Sequence, residues 1–420
     1  MIPLLRHIRT ATAESLRADG VAGITTAIML VPQAMAYAML AGLEPIVGLY
    51  ASTLPLMLYA LFGSSRPLAV GPVAMDSLMV SAGLVPLVAE PGAYAETAAW
   101  LALLVGGIQI VLGLMRAGFL VQLLTKPVIL GFTAAAALII GSSQLGAAMG
   151  VSLPRSQQVH QTLWAAVQHA DRLHWLTLGM TLASVVILLT LKRVNPRFPR
   201  FLLVVGLGTL TVWGFGLEAS GIAIVGDVPA GLPTPQLPHL DPAMLVQLLP
   251  TAFAIAWVAM LEALSVAKAY QDDVDPNREL FSIGLANVGS GLVAGYPITG
   301  GFSRTAVNAE AGARSPLAGL VTSGLVVLTL LFLTDAFTFL PRAILASIIM
   351  TAVAGLIDLK SVRALYQSDR HGFALCVLTF VATLTLGIQL GIATGVAAGL
   401  LLKAARRTAL LGLTAEPHLR

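Results

Sequence analysis

Two ionisable residues stand where hydropathy disfavours them. Glu262 interrupts the apolar run 251–267, and Arg304 follows Ser303 in GGFSRTAVN (300–308), directly after a stretch rich in glycine and proline. An ionisable side chain at membrane depth is costly and marks a route for ions or substrate. A carboxyl withdrawn from water favours its neutral form, so Glu262 can hold a proton and exchange it when water arrives. A Na+ ligand and a fixed partner for Arg304 are the other readings. Arg304 itself needs a negative neighbour: a bound anion, or a permanent ion pair with Glu262 or Asp76. Gln33 and Tyr37 are spaced i, i+4, so they offer an amide and an amphipathic ring on one helix face. A lone Gln in such a helix also serves as interhelical glue. No HExxH, GxSxG or histidine pair falls inside an apolar run, so the sequence carries no enzyme signature.

Two interrupted segments are suited to positioning these groups. One starts near Pro72, after residues 63–71; the other starts at Ser303, after residues 295–301. A helix N-terminus exposes unpaired N–H groups and carries roughly half a positive charge. Two such ends meeting at mid-membrane bind an anion. Pro72 fits the first helical position and Ser303 an N-cap or first-turn position. The stretches 67–71 and 297–301 then have to pair with each other or line a wet cavity, because lipid cannot satisfy their backbone. Gln33 precedes Pro72 by nearly the interval that separates Glu262 from Ser303. Short segments at corresponding places in two halves are a pointer to a transporter site. An odd number of spans in the first half inverts the second, so the two N-termini approach from opposite sides.

The surroundings of these segments are membrane-like. Of 420 residues, 57% are hydrophobic and only 10% charged, with mean hydropathy +0.87; soluble proteins carry roughly 25% charged residues. Apolar runs near the roughly 20 residues that cross a bilayer recur at 21–40, 98–114, 177–191, 318–333 and 373–390. Hydropathy predicts roughly 12 to 14 spans in the lipid bilayer. Lys and Arg crowd alternate connections, around Arg116 and Lys126, Lys192 to Arg200, Lys268 and Arg278, Arg314, Lys360 to Arg370, and Lys403 to Arg407, while 89–96 and 218–245 have none. That alternation predicts cytoplasmic termini and an even number of spans. It also accounts for the net charge of +4 without a nucleic-acid partner. Residues 150–175, with Arg155, His160, His169 and Arg172, are assigned to the outer side. Arg6, Arg9 and Arg17 alternate with Glu14 and Asp19 as a cytoplasmic lead-in with no cleavage site. The single Cys376 provides no disulfide framework. The proline-rich stretch 225–242 cannot be helical and separates the two halves.

These residues resemble the sulfate permease (SulP) family of anion transporters, which includes the mammalian anion exchangers and prestin. PQAMAYAMLAG (32–42) followed by Gly48, Leu49 and Tyr50 resembles the family's first-span signature, and VGPVAMDS (70–77) the start of its third span. DPNRELFSIGLAN (275–287) and GGFSRTAVN resemble its second-half motifs, in the correct order along nearly the whole chain. The resemblance implies an all-α polytopic membrane protein with 14 transmembrane segments in two inverted seven-span repeats, and short extended stretches before half-helices 3 and 10. In this chain the repeats fall at 1–224 and 245–407, with a connecting loop at 225–244 and a tail at 408–420. Spans 1–4 and 8–11 form the core domain, and spans 5–7 and 12–14 the gate.

By position, the resemblance carries the family's anion site onto Gln33, Tyr37, Val73, Ala74, Ser303 and Arg304, and the coupling position onto Glu262. Relatives have an aromatic at the place of Val73, which implies a roomier site here. Family members usually continue into a cytoplasmic STAS-type domain that contributes to dimers. This chain stops soon after Arg407, which is read as truncation, with a homodimer expected of the full-length protein. The expected function is proton-coupled symport of a small anion (carboxylate or dicarboxylate, sulfate or bicarbonate) by elevator-like alternating access in the inner (plasma) membrane. No cofactor or metal is called for, and the coupling ion is H+, with Na+ as the lesser choice. An anion channel or voltage-driven motor of the same family is one alternative. A nucleobase transporter of related fold is another, although Arg304 suits it poorly.

Overall fold

Thr12 and Ser15 cap each other's backbone N–H, at 3.0 and 3.2 Å, and this reciprocal cap starts α1 (Ala13–Ala41). Gly42 ends it in the left-handed conformation, φ 86°. The computed structural model describes residues 11–88, 90–119, 125–153, 158–195, 198–234 and 242–413. After α1 come α2 (Pro45–Tyr50), α3 (Leu54–Phe62), β1 (Val70–Gly71), α4 (Ala74–Leu84) and α5 (Pro91–Leu114). Then follow α6 (Lys126–Ser143), α7 (Leu145–Met149), α8 (Val159–Gln168), α9 (Trp175–Val194) and α10 (Arg200–Phe215). The second half holds α11 (Pro242–Tyr270), α12 (Pro276–Leu292), β2 (Thr299–Gly300), α13 (Phe302–Glu310) and α14 (Leu317–Phe332). It closes with α15 (Arg342–Ala354), α16 (Leu359–Ser368), α17 (Arg370–Leu386) and α18 (Ile388–Leu413).

Seven helical segments among the described residues are long and apolar enough to cross a membrane, and five shorter apolar helices accompany them. Leu114, Leu182, Val186, Trp213 and Phe215 are more than half exposed, a surface that suits lipid and not water. The protein is a polytopic helical membrane protein.

Both halves begin alike. Each has a 29-residue helix with an internal proline, Pro32 in α1 and Pro250 in α11. Further helix, a two-residue strand, a short helix and another helix follow in the same order. Gln33 and Glu262 stand equally far along α1 and α11 (13 to 33, and 242 to 262). The short helices α4 and α13 have 11 and 9 residues. At 1.5 Å per residue that is about 16 and 13 Å, half of the roughly 30 Å of hydrocarbon.

α5 packs along α12, α1 against α14 and α4, and α11 against α5, α4 and β2. The α5–α12 contact is close because Gly106 and Gly284 face each other; a Cβ on Gly106 would sit 2.6 Å from the Gly284 carbonyl oxygen. A second group joins α6 to α17 and α15, α9 to α15, and α17 to α18. The groups meet where α1 touches α15 and α10.

Several boundaries differ from the sequence expectation. Pro72 is not the first residue of a helix: Val73 is still extended, φ −130° and ψ 153°, and α4 starts at Ala74, because β1 holds the preceding backbone straight. Residues 91–96 of the expected loop belong to α5, residues 242–244 to α11, and 408–413 of the expected tail to α18. Asp19 is not part of a solvated lead-in. It is 2% exposed and accepts from the N–H of Arg314 and Ser315 and from the Ser315 hydroxyl, tying α1 to the α13–α14 corner. Arg6, Arg9, Arg155, Arg197, Pro235, Pro238 and residues 414–420 lie outside the described residues.

Candidate functional site

The two extended stretches are paired edge to edge. Val70 faces Gly300 and Gly71 faces Thr299 in an antiparallel register. The Gly301 N–H donates to the Ala69 carbonyl at 3.1 Å, and the Ala69 N–H to Thr305 Oγ1 at 3.0 Å. Asn287 on α12 works as a further strand: its Nδ2 donates to the Ile298 carbonyl and its Oδ1 accepts from the Ile298 N–H, at 2.9 and 2.8 Å. Asn308 Nδ2 donates to the Pro67 carbonyl, and the Thr299 hydroxyl to the Ala259 carbonyl. Side chains and the partner strand thus satisfy backbone that lipid could not.

This pairing brings the N-termini of α4 and α13 together. Val73 and Gly301 are their N-caps, and no side chain bonds either cap. The first-turn N–H groups therefore keep their capacity to bind an anion. Arg304, in the first turn of α13, is 1% exposed. Its Nη1 donates to the Pro72 carbonyl, while Nε and Nη2 have no protein partner. No ion pair joins it to Glu262 or Asp76 among the described residues, so the permanent lock weighed from the sequence is not formed. Gly301 makes room for the guanidinium, since a Cβ there would lie 2.9 Å from Nη2, and Gly71 beside it has φ 146°. That conformation is costly for any residue but glycine.

A cavity of about 610 Å³ opens beside these tips. It is lined by Tyr37, Val73, Ala74, Glu262, Ser303 and Arg304, by the apolar Phe132, Leu188, Phe201 and Leu261, and by Lys192, Arg200, Tyr270, Glu310 and Asp358, all of the last group exposed except the half-buried Arg200. Ser303 is exposed, Glu262 partly so, and Tyr37 is buried. Arg304, Glu262 and Tyr37 lie within electrostatic reach of one another. The structure thus assembles six of the seven residues singled out from the sequence. Gln33 is the exception: it is fully buried one turn from Tyr37, lines no part of this cavity, and neither end of its amide has a partner.

Three supporting residues were not singled out. Gly71 and Asn287 hold the strand pair in place. Glu279, fully buried, accepts from the Tyr59 hydroxyl and from both the hydroxyl and N–H of Ser64, which anchors the stretch leading into β1. The motifs VGPVAMDS and DPNRELFSIGLAN contain all three, yet their partners lie outside both motifs: Thr299 for Gly71, Ile298 for Asn287, and Tyr59 and Ser64 for Glu279.

Broken helices that meet tip to tip beside a cavity define a discontinuous-helix class of membrane protein. The chain belongs to the sulfate permease family, which residues 16–379 match. It is 41% identical over 403 residues to probable sulfate transporter 4.2 of Arabidopsis thaliana, covering 93% of this chain and 59% of that one. It is 39% identical over 378 residues to a probable sulfate transporter of Mycobacterium tuberculosis, covering 89% and 67%. Among solved structures, murine Slc26a9, an anion transporter in its inward-facing state, superposes with TM-score 0.89 at 26% identity over 96% of this chain and 71% of that one. The transmembrane domain of the cyanobacterial bicarbonate transporter BicA gives 0.79 at 25% identity over 93% and 98%. The chain spans about three fifths of the plant relative's length. These relatives are transporters, not enzymes.

Proposed function

We propose that this protein is a proton-coupled secondary transporter of a small oxyanion, with sulfate the first candidate and bicarbonate or a dicarboxylate the next. One observation carries the reading: a buried guanidinium with two unpaired nitrogens stands between two uncapped helix N-termini beside an open cavity. Each helix end adds roughly half a positive charge, and a compact oxyanion supplies the acceptors the site lacks. Sulfate is favoured by the names of the Arabidopsis and Mycobacterium relatives, and bicarbonate by BicA. Glu262 faces the same cavity and is the coupling group, protonated when the anion loads.

The pattern of matching elements in the two halves supports fourteen spans in two inverted repeats. In this reading α1–α5 with α11–α14 form a core that moves against a gate of α6–α10 with α15–α18. Lys192 and Arg200 line the cavity and lie in a connection that the Lys/Arg rule assigns to the cytoplasm, which supports an inward-facing cavity. Both termini are then cytoplasmic, in a plasma membrane, and the protein pairs as a homodimer. Uptake of labelled sulfate into proteoliposomes under an imposed inward proton gradient tests the reading. Saturable uptake that rises with the gradient and is competed by chemically similar oxyanions supports it. Uptake indifferent to the gradient removes the coupling, and uracil outcompeting every oxyanion removes the anion.

A further inference from the structure

Asp76 is fully buried in the first turn of α4, and neither carboxyl oxygen has a hydrogen-bond partner. An acid in that turn is ordinarily explained by the helix dipole or by a cap, but this one accepts from no N–H group. A buried carboxylate with no hydrogen bond is costly, so Asp76 is suited to take up a proton when the site loads its anion. Val73, Ala74 and Met75 line the cavity, which puts Asp76 less than a turn behind its wall.

We propose that Asp76 is a second proton carrier of the transport cycle, working with Glu262 across the anion site. The inference rests on the proton-coupled transport proposed above. The groups around Asp76 leave a simple charge count. From α11, Glu262 acts on it electrostatically. Tyr296, hydrogen-bonded to Ser77 at 3.1 Å, is within reach of both Asp76 and Arg304, and α1 contributes the neutral Gln33 and Tyr37. On the other helices packed against α4, Tyr94 donates to the Ala41 carbonyl, while Glu96 and Lys126 are exposed. The buried cluster therefore holds one guanidinium and two carboxyls. With both carboxyls ionised the side chains sum to −1, which cancels the positive charge of the two helix tips and leaves nothing to hold an anion. With both protonated the side chains sum to +1, and the two helix tips add to that charge. Each carboxyl takes its proton from water on the loading side, forming an O–H bond, and returns it to water on the release side.

The test is calorimetry of sulfate binding to the purified transporter in buffers of different ionisation enthalpy, which counts protons taken up per anion. Wild type should take up about two and Asp76→Asn about one. A wild-type count of one, or an unchanged count in Asp76→Asn, overturns the role of Asp76 and leaves single-proton coupling through Glu262 standing. A wild-type count of zero overturns both. If Asp76→Asn does not fold, infrared spectra of the wild type with 13C-labelled aspartate decide. A labelled neutral-carboxyl band at pH 7 in the sulfate-bound protein is expected, and its absence overturns the proposal.

Discussion

Arg304 reaches across the site to donate to the carbonyl oxygen of Pro72, so the first turn of α13 is tied to the residue leading into α4. The bond uses one nitrogen and leaves two aimed at no protein acceptor. It holds the two half-helices in register and keeps the cation available to substrate. Arg304→Lys should retain the charge but lose the planar fork that serves both roles. We expect at least about a tenfold rise in KM for sulfate, the equivalent of about 1.4 kcal/mol, with Arg304→Ala inactive. Uptake kinetics on both variants check this.

Gly71→Ala should harm the site without touching substrate. The residue has φ 146°, a conformation that a Cβ makes costly. A loss of about 1–3 kcal/mol is expected from the strain, read as a fall in thermal midpoint in detergent together with reduced uptake. Gly92→Ala, where a Cβ meets nothing within 4 Å, is the matching control.

Asn287→Ala removes the side chain that pairs with both backbone groups of Ile298. Leaving buried partners unpaired costs about 1–3 kcal/mol each. The expected result is a lower thermal midpoint and a lower rate of uptake. Asn287→Asp keeps the acceptor but loses the donor, and should fall between wild type and Ala.

Glu279→Gln tests the anchor below β1. Three donors converge on the carboxylate, and an amide presents hydrogens to some of them. We expect destabilisation of about 1–3 kcal/mol with the pH dependence of uptake unchanged. Glu262→Gln should do the reverse, removing the pH dependence while the thermal midpoint stays near wild type. Measuring both quantities on both variants separates structural from coupling carboxyls.

The site was legible in sequence where a residue conflicted with its immediate surroundings. Glu262 and Arg304 are conspicuous because charge in an apolar run needs a reason, and the extended stretches announced themselves through glycine and proline. Gly71, Asn287 and Glu279 carry no such local conflict; Gly71 and Glu279 matter through partners more than 200 residues away, Thr299 and Ser64, and Asn287 through the backbone of Ile298. Gln33 shows the opposite failure. Its i, i+4 relation to Tyr37 fixes a shared helix side, but a cavity boundary can fall between two successive turns, and here it does. Pro72 lies two residues before the helix starts, because helix preference at N1 yields to the strand pairing that keeps the backbone into Val73 extended.

The central claim is that the anion sits between the tips of α4 and α13 against Arg304. Anomalous scattering from selenate, a heavier analogue of sulfate, tests it most directly in crystals of the transporter. The account predicts a selenium peak within hydrogen-bonding distance of Arg304 Nη2 and the N–H groups at the start of both half-helices, absent in Arg304→Ala. A selenate peak elsewhere in the cavity, or one that survives loss of the guanidinium, would contradict it.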